Sequence, residues 1–392
     1  MNISRKQLTA LFICSLVPWT AGNGLIPLLP LYARQLGAND AVAGYYLAIS
    51  YLAIALGALS AGWVSGRIHR HKLPLIIAGS VGIPVAWLMG HVSTVWALTA
   101  LTAILWFTGG MGLSLISILT GLSAGENERG KIFGILALTG GLGALVGNLG
   151  TGWLVERWGY TAMFNILAIF LALSPLIALL LEEKEVPQPR LENTPDQKLP
   201  GLGKSFYLLF TASILASITG FFIVLIRSIM MSNLKFSPLE ISSTGAIGGL
   251  ISIPFPFLMG WLSDRIGRKT FLFVGYVTTF TAIVLLAFSK ELWNFWVVLS
   301  LQGIATGSGG IGNALATDLV PRESVGKGLA VFSAAVWIGG VIGFAVAGYT
   351  LQNLGFVPAF IIGGCLVMVA SGLLVPIRAK PRKSGQPDTA SA

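Results

Sequence analysis

Charge is what this sequence has least of. Only 10% of its 392 residues are Asp, Glu, Lys or Arg, against 54% hydrophobic, and the mean hydropathy is +0.80. So little polar surface cannot cover a water-soluble globule, and the chain is read as a membrane protein. Cysteine is scarcer still. Cys14 and Cys365 both fall inside apolar runs, at a separation that suggests neither a disulfide nor a metal cluster, so they are read as small apolar residues. Also missing are a nucleotide-binding glycine loop, a set of metal ligands, and a nucleophile with a base at recognisable spacing. These absences argue against an enzyme, against ATP as direct energy source and against any cofactor.

Long apolar runs are abundant. Stretches able to cross roughly 30 Å of hydrocarbon recur along the chain. Twelve are expected, over residues 8–33, 41–65, 73–92, 95–124, 131–156, 160–182, 205–233, 238–262, 270–288, 293–317, 327–352 and 356–377. Lipid leaves no backbone group unsatisfied, and the runs are too long for barrel strands, so all are expected to be helices. The first run lacks a small-residue cleavage site and is expected to be retained. Placing both termini in the cytoplasm puts all but five of the 25 Lys and Arg on that side, the exceptions being Arg34, Arg157, Arg227, Lys235 and Lys290. Anionic membrane lipids account for the net charge of +10, and no nucleic-acid partner is needed. A bacterial inner membrane fits this pattern.

The chain repeats itself. "GWVSGRIHRHK" at 62–72 returns as "GWLSDRIGRK" at 260–269, and an offset of 196 then aligns Gly143 with Gly339, Gly147 with Gly343, Gly152 with Gly348 and Gly159 with Gly355. Between the copies lies "EEKEVPQPRLENTPDQKLPGLGK", rich in Pro and charge, read as a flexible linker. The expected organisation is a six-helix bundle over 1–182, a linker over 183–204, a second bundle over 205–378 and a disordered tail over 379–392. Duplicated halves around a midplane site are the plan of a secondary transporter.

With Gly260, Asp264, Arg265, Gly267, Arg268 and Lys269 all in register, the second phrase resembles the loop motif between helices 2 and 3 of the major facilitator superfamily, repeated between helices 8 and 9. The resemblance runs over nearly the whole chain. It implies an all-α membrane fold of twelve transmembrane helices in two pseudo-symmetric bundles, commonly monomeric, whose loop cluster latches the cytoplasmic side. In the first copy Gly62, Arg67 and Arg70 are kept, whereas Gly66 replaces the acid and His69 the second glycine, so any ion-pair latch is expected mainly in the second half. Gly260 is read as a point of close helix approach, and Arg265, Arg268 and Lys269 as holding the loop at the headgroups.

The stretch "GALVGNLGTG" at 143–152 is similar to the helix-5 signature of the twelve-helix drug/proton antiporters. It keeps Gly143, Gly147 and Gly152, with Asn148 in place of Pro and Thr151 in place of Gly. "GNGLIPLLP" resembles their helix-1 opening and offers Asn23 to a central cavity. Departures are equally plain. Trp106 stands where many such antiporters have an Arg in helix 4, and no carboxylate lies deep in a span, since Glu126, Glu156 and Asp318 fall at span ends. Arg227, in "FFIVLIRSIMM", is the one ionisable residue well inside a run; it either faces the cavity, where it suits an anion, or snorkels outward. Trp106, Phe221, Phe222 and Trp337 line either an apolar cavity or the packed core.

The leading expectation is a transporter exporting small amphipathic molecules in exchange for protons, with membrane lipids as its other partners. The rival is a facilitator or importer of a metabolite, such as an organic anion. A non-transporting sensor or lipid-handling relative is the third.

Overall fold

A computed structural model describes residues 4–68, 70–123, 128–183, 201–307, 309–321 and 324–377, with the side chains at 66, 68, 129 and 264 outside that description. Every regular element among them is a helix. The order is α1 (Arg5–Leu25), α2 (Leu29–Gln35), α3 (Asp40–Ile68), α4 (Lys72–Met89), α5 (Val95–Ser123), α6 (Arg129–Leu171) and α7 (Leu173–Ala178) in the first half. The second half has α8 (Lys204–Asn233), α9 (Pro238–Ile251), α10 (Phe255–Ile266), α11 (Arg268–Ala287), α12 (Leu292–Gly307), α13 (Gly309–Leu319), α14 (Val325–Leu354) and α15 (Phe356–Leu374). Most of the expected linker and the whole expected tail, 379–392, lie outside the described residues.

The twelve expected spans are recovered, several of them broken. Ten helical segments are each long and apolar enough to cross a membrane. One of them, Gly130–Ala178, carries two spans, and α12 with α13 makes the last. The breaks follow from the sequence. Pro27 and Pro30 interrupt the backbone ladder between α1 and α2, and Pro254 and Pro256 do so between α9 and α10. Gly159, inside α6, turns the chain between spans 5 and 6 at φ 78°, and Gly355 makes the same turn between α14 and α15 at φ 85°. Both need the left-handed backbone that glycine alone adopts freely, which explains that pair of the repeat.

The other repeated glycines build contacts. A Cβ on Gly143 would meet Thr20 N of α1 at 2.8 Å, and one on Gly147 would strike Thr20 O. In the second half a Cβ on Gly339 would strike Ser217 of α8, and one on Gly343 would meet Ile218 O at 3.0 Å. Small residues let these helix backbones touch, which is how helices associate where lipid supplies no hydrophobic drive. The third pair of the series reaches across the molecule instead. A Cβ on Gly152 of α6 would sit 2.7 Å from Ser242 Cβ of α9, and one on Gly348 of α14 would sit 2.7 Å from Gly44 Cα of α3. The halves therefore meet along two seams, α6 with α9 and α3 with α14.

Each helix runs between the face bearing Arg5, here the N face, and the opposite, far face. Buried side chains form one cluster spanning both halves, from Leu25 and Tyr46 to Ile226 and Phe344. Nearer the N face the core is double: one cluster around Leu11, Leu75, Leu115 and Ile132, and a separate one around Phe206, Leu272, Leu315 and Val367. The bundles are joined on the far side and part towards the N face.

Candidate functional site

A cavity of about 280 Å³ occupies the space where the halves diverge. Its walls are α1 from Cys14 to Ile26, α3 at Tyr51 and Ile54, α4 from Leu75 to Gly82, α5 from Leu105 to Ile116, Leu171 and Ser174 in span 6, and Phe221, Val336 and Trp337 from the second half. The stretches of α4 and α5 are those nearer the N face. Among the described residues, no Asp, Glu, Lys, Arg or His is in the lining.

The far end is closed by aromatic rings from both halves. Tyr51 is the hub. Its ring centroid lies 5.1 Å from Trp106, 4.7 Å from Phe221, 4.9 Å from Phe344 and 6.3 Å from Trp337. These are edge or tilted contacts, the arrangement aromatic quadrupoles favour. They follow from glycine too, because a Cβ on Gly340 would sit 2.6 Å from the Tyr51 ring. Tyr51 carries no mark in the sequence: within "AISYLAIAL" it reads as one more apolar helix residue.

Asn23, Trp106 and Trp337 lie in the lining, as does Phe221, whereas Phe222 is wholly buried in the core. Asn23 Nδ2 donates to Gly140 O at 3.4 Å. Asn148 and Arg227 are placed elsewhere. Asn148 sits in the α6–α9 seam, its Nδ2 donating to Ala144 O at 2.7 Å and its Oδ1 against Gly245 without a hydrogen bond. Arg227 is only 2% exposed, so it neither reaches the cavity nor snorkels. Its Nη1 donates to Thr244 Oγ1 at 2.6 Å and its Nη2 to Ser228 Oγ at 3.3 Å, while Nε has no partner. Which way a helix turns a polar side chain is not written in a span that is apolar all round.

At the N face the repeated loop differs from expectation. A Cβ on Gly62 or Gly260 would meet nothing within 4 Å, so neither is a point of close approach in this arrangement, because the bundles part here. Arg67 stacks over Trp63 at 5.1 Å and Arg265 over Trp261 at 4.0 Å, while Arg70 is exposed. Gly267 caps α10 at φ 120°. Arg268 and Lys269 turn to the protein rather than the headgroups. Arg268 Nη1 donates to Asp318 Oδ2 at 2.8 Å and to Ala314 O at 2.9 Å. Lys269 Nζ donates to Val375 O at 2.7 Å and Ile377 O at 2.9 Å, and Lys72 does the same in the first half, to Leu179 O at 2.7 Å and Leu181 O at 2.8 Å. Each lysine caps the end of the sixth span of its bundle, where the helix carbonyls and dipole favour a cation. The equal place of the two lysines in the repeat was the available signal. His69 and the side chain of Asp264, with the latch expected of it, lie outside the described residues.

The far face carries a contact that the sequence reading did not anticipate. Glu156, at the end of span 5, accepts from Ser237 Oγ at 2.6 Å and from Leu239 N at 3.1 Å, at the N-terminus of α9 in the other half. Ser237 also caps α9 with Glu240, a capping box legible in "SPLE". Beside the second seam, Asp40 N donates to Gln352 Oε1 at 3.1 Å and Arg34 Nη1 to Asn233 Oδ1 at 3.0 Å.

Comparison with known proteins agrees with this architecture. The family model of the Major Facilitator Superfamily matches residues 11–223 and again 207–391. The multidrug resistance protein MdtG of Escherichia fergusonii is 27% identical over 387 residues, covering 94% of this chain and 93% of the relative. MdtG of Klebsiella pneumoniae is 26% identical over 404 residues, covering 98% and 96%. Among solved structures, a mutant of the nucleoside transporter NupG superposes with a TM-score of 0.77 at 18% identity, over 95% of this chain and 99% of that one, a likeness of fold. Two like bundles round a shared cavity, matched once in each half by the family's model, show that this chain is a multi-pass membrane transporter and belongs to the Major Facilitator Superfamily.

Proposed function

We propose that the protein exports a small, amphipathic organic molecule across the bacterial inner membrane by alternating access, in exchange for protons. The observation that carries this reading is the apolar cavity lined from both halves, walled off from the far face by the Tyr51 cluster and lying where the core divides. Such a cavity takes a solute from the N face. The excess of Lys and Arg makes that face the cytoplasm, with both termini there. Open space beside Gly62 and Gly260 supports alternation, for glycines at those places suit a second state in which the N-face ends meet. The MdtG relatives are named for multidrug resistance, which supports efflux of organic molecules here.

Proton coupling has its best-placed group in Glu156. Its carboxylate ties one half to the other at the far face, so its protonation weakens that tie. A facilitator driven by the solute's own gradient is the second reading, favoured by the absence of any titratable carboxylate in the cavity lining.

Reconstitution in liposomes separates the two. With the N face outward and an imposed pH gradient, an antiporter takes up a fluorescent amphipathic solute and discharges the gradient in step. Uptake that continues unchanged after the gradient is collapsed leaves the facilitator; no uptake of any amphipathic solute ends the export reading.

A further inference from the structure

We infer that the cavity selects uncharged, flat solutes that carry a hydrogen-bond acceptor, read by Tyr51, Trp106 and Trp337. The inference rests on the export reading above and gives it a substrate class. It starts from the polar atoms in the lining. Several are already engaged: Thr108 Oγ1 donates to Leu105 O at 2.9 Å, and Cys14 Sγ to Ser174 O at 3.6 Å. Those in the aromatic cluster are not. Trp106 is 6% exposed and its Nε1 is buried without a hydrogen bond. Among the described residues the Tyr51 hydroxyl and Trp337 Nε1 make none either. An indole N–H only donates, and a phenol donates readily, so this end of the cavity asks for an acceptor.

Charge is excluded from both sides. An anion finds no cation in the lining, because Arg227 is turned to Thr244. A cation gains the ring faces. It also gives up its hydration with no carboxylate to replace it, and that loss is the larger. A neutral ring system meets neither cost, fits between the aromatic faces, and its carbonyl or ring nitrogen satisfies the buried Trp106 N–H, which otherwise has no acceptor.

The position of Tyr51 ties recognition to the gate. Its ring covers Trp106 on one side and, on the other, touches Phe221, Phe344 and Gly340 of the opposite half. A solute seated against Trp106 also meets the Tyr51 ring, and so presses on the α3–α14 seam it belongs to.

Binding to the purified protein in detergent tests this with three probes. Nile red is neutral, flat and has a carbonyl acceptor; N-phenyl-1-naphthylamine is neutral and flat without one; tetraphenylphosphonium is a permanent cation. Nile red is expected to bind tightest. Tyr51→Phe, which keeps the ring and removes the donor, should weaken Nile red about five-fold, the worth of one neutral hydrogen bond, and leave N-phenyl-1-naphthylamine unchanged, while Trp106→Phe, which removes the N–H with half of the indole, should weaken Nile red about five-fold more than it weakens N-phenyl-1-naphthylamine. Trp337→Phe provides the same comparison should either variant fold poorly. Tighter binding of the phosphonium, equal weakening of both neutral probes, or no binding of Nile red overturns the inference. The export reading is judged apart, by transport in liposomes. Nile red that binds as expected and is not moved sinks export and leaves the assignment of the cavity, whereas transport indifferent to all three substitutions does the reverse.

Discussion

A single β-carbon separates the close helix contacts of this molecule from its open end. At Gly147 and Gly348 an added methyl group runs into the backbone of a neighbouring helix, while at Gly62 it meets nothing. Gly147→Ala and Gly348→Ala are therefore expected to cost about 1–3 kcal/mol each through overpacking, and Gly62→Ala less than about 0.5 kcal/mol. Thermal unfolding in detergent measures all three, and equal midpoints would show these helix contacts to be looser than described. Arg227 makes a second case. Burying a guanidinium without a carboxylate costs several kcal/mol, and its hydrogen bonds to Thr244 and Ser228 return part of that. Thr244→Val strands Nη1 and should destabilise by about 1–3 kcal/mol. Arg227→Met, which removes the charge and keeps the volume, should leave the midpoint unchanged or raise it. A large loss of stability in that variant would give the cation a counter-charge outside the described residues.

Among the elements, α6 and α9 decide how the far face opens. Glu156 lays a carboxylate at the first turn of α9, an attraction worth about 0.3–1 kcal/mol between an anion and a helix N-terminus. Glu156→Gln keeps an acceptor for Ser237 and loses the charge, so the seam should part about two to five times as often. The check is the rate at which a membrane-impermeant maleimide labels Ser242→Cys, buried against Gly152, after Cys14 and Cys365 are replaced by Ala. An unchanged rate removes Glu156 from the gate. The elements also show what hydropathy can and cannot convey. All twelve spans were readable, because length and apolarity are all that lipid demands, whereas the break at Pro254 inside 238–262 was not foreseen. The facing of Asn148 and Arg227 was not, since lipid and protein core are equally apolar and a helix that is hydrophobic all round has no side to betray. Nor were Glu156 with Ser237, Lys72 with Leu179, or Tyr51 with Phe221, each of which joins residues far apart in the chain.

At the scale of the whole molecule, the halves touch at the far face and part at the other. Gly62→Trp together with Gly260→Trp puts bulk only where the proposed second state would close. The pair should leave the unfolding midpoint within about 0.5 kcal/mol of the parent and abolish transport in liposomes, a separation that no packing defect produces. Transport at the parental rate would mean that the N-face ends never meet. The turns at Gly159 and Gly355 bear on a different stage of the protein's life. Each joins two spans through one left-handed residue, leaving no length of chain that can wait at the far face while a second helix is made. Spans 5 and 6, and spans 11 and 12, must therefore enter the bilayer as ready-made hairpins during synthesis. A side chain at either glycine would be felt first as a failure of insertion, before there is any transporter to assay.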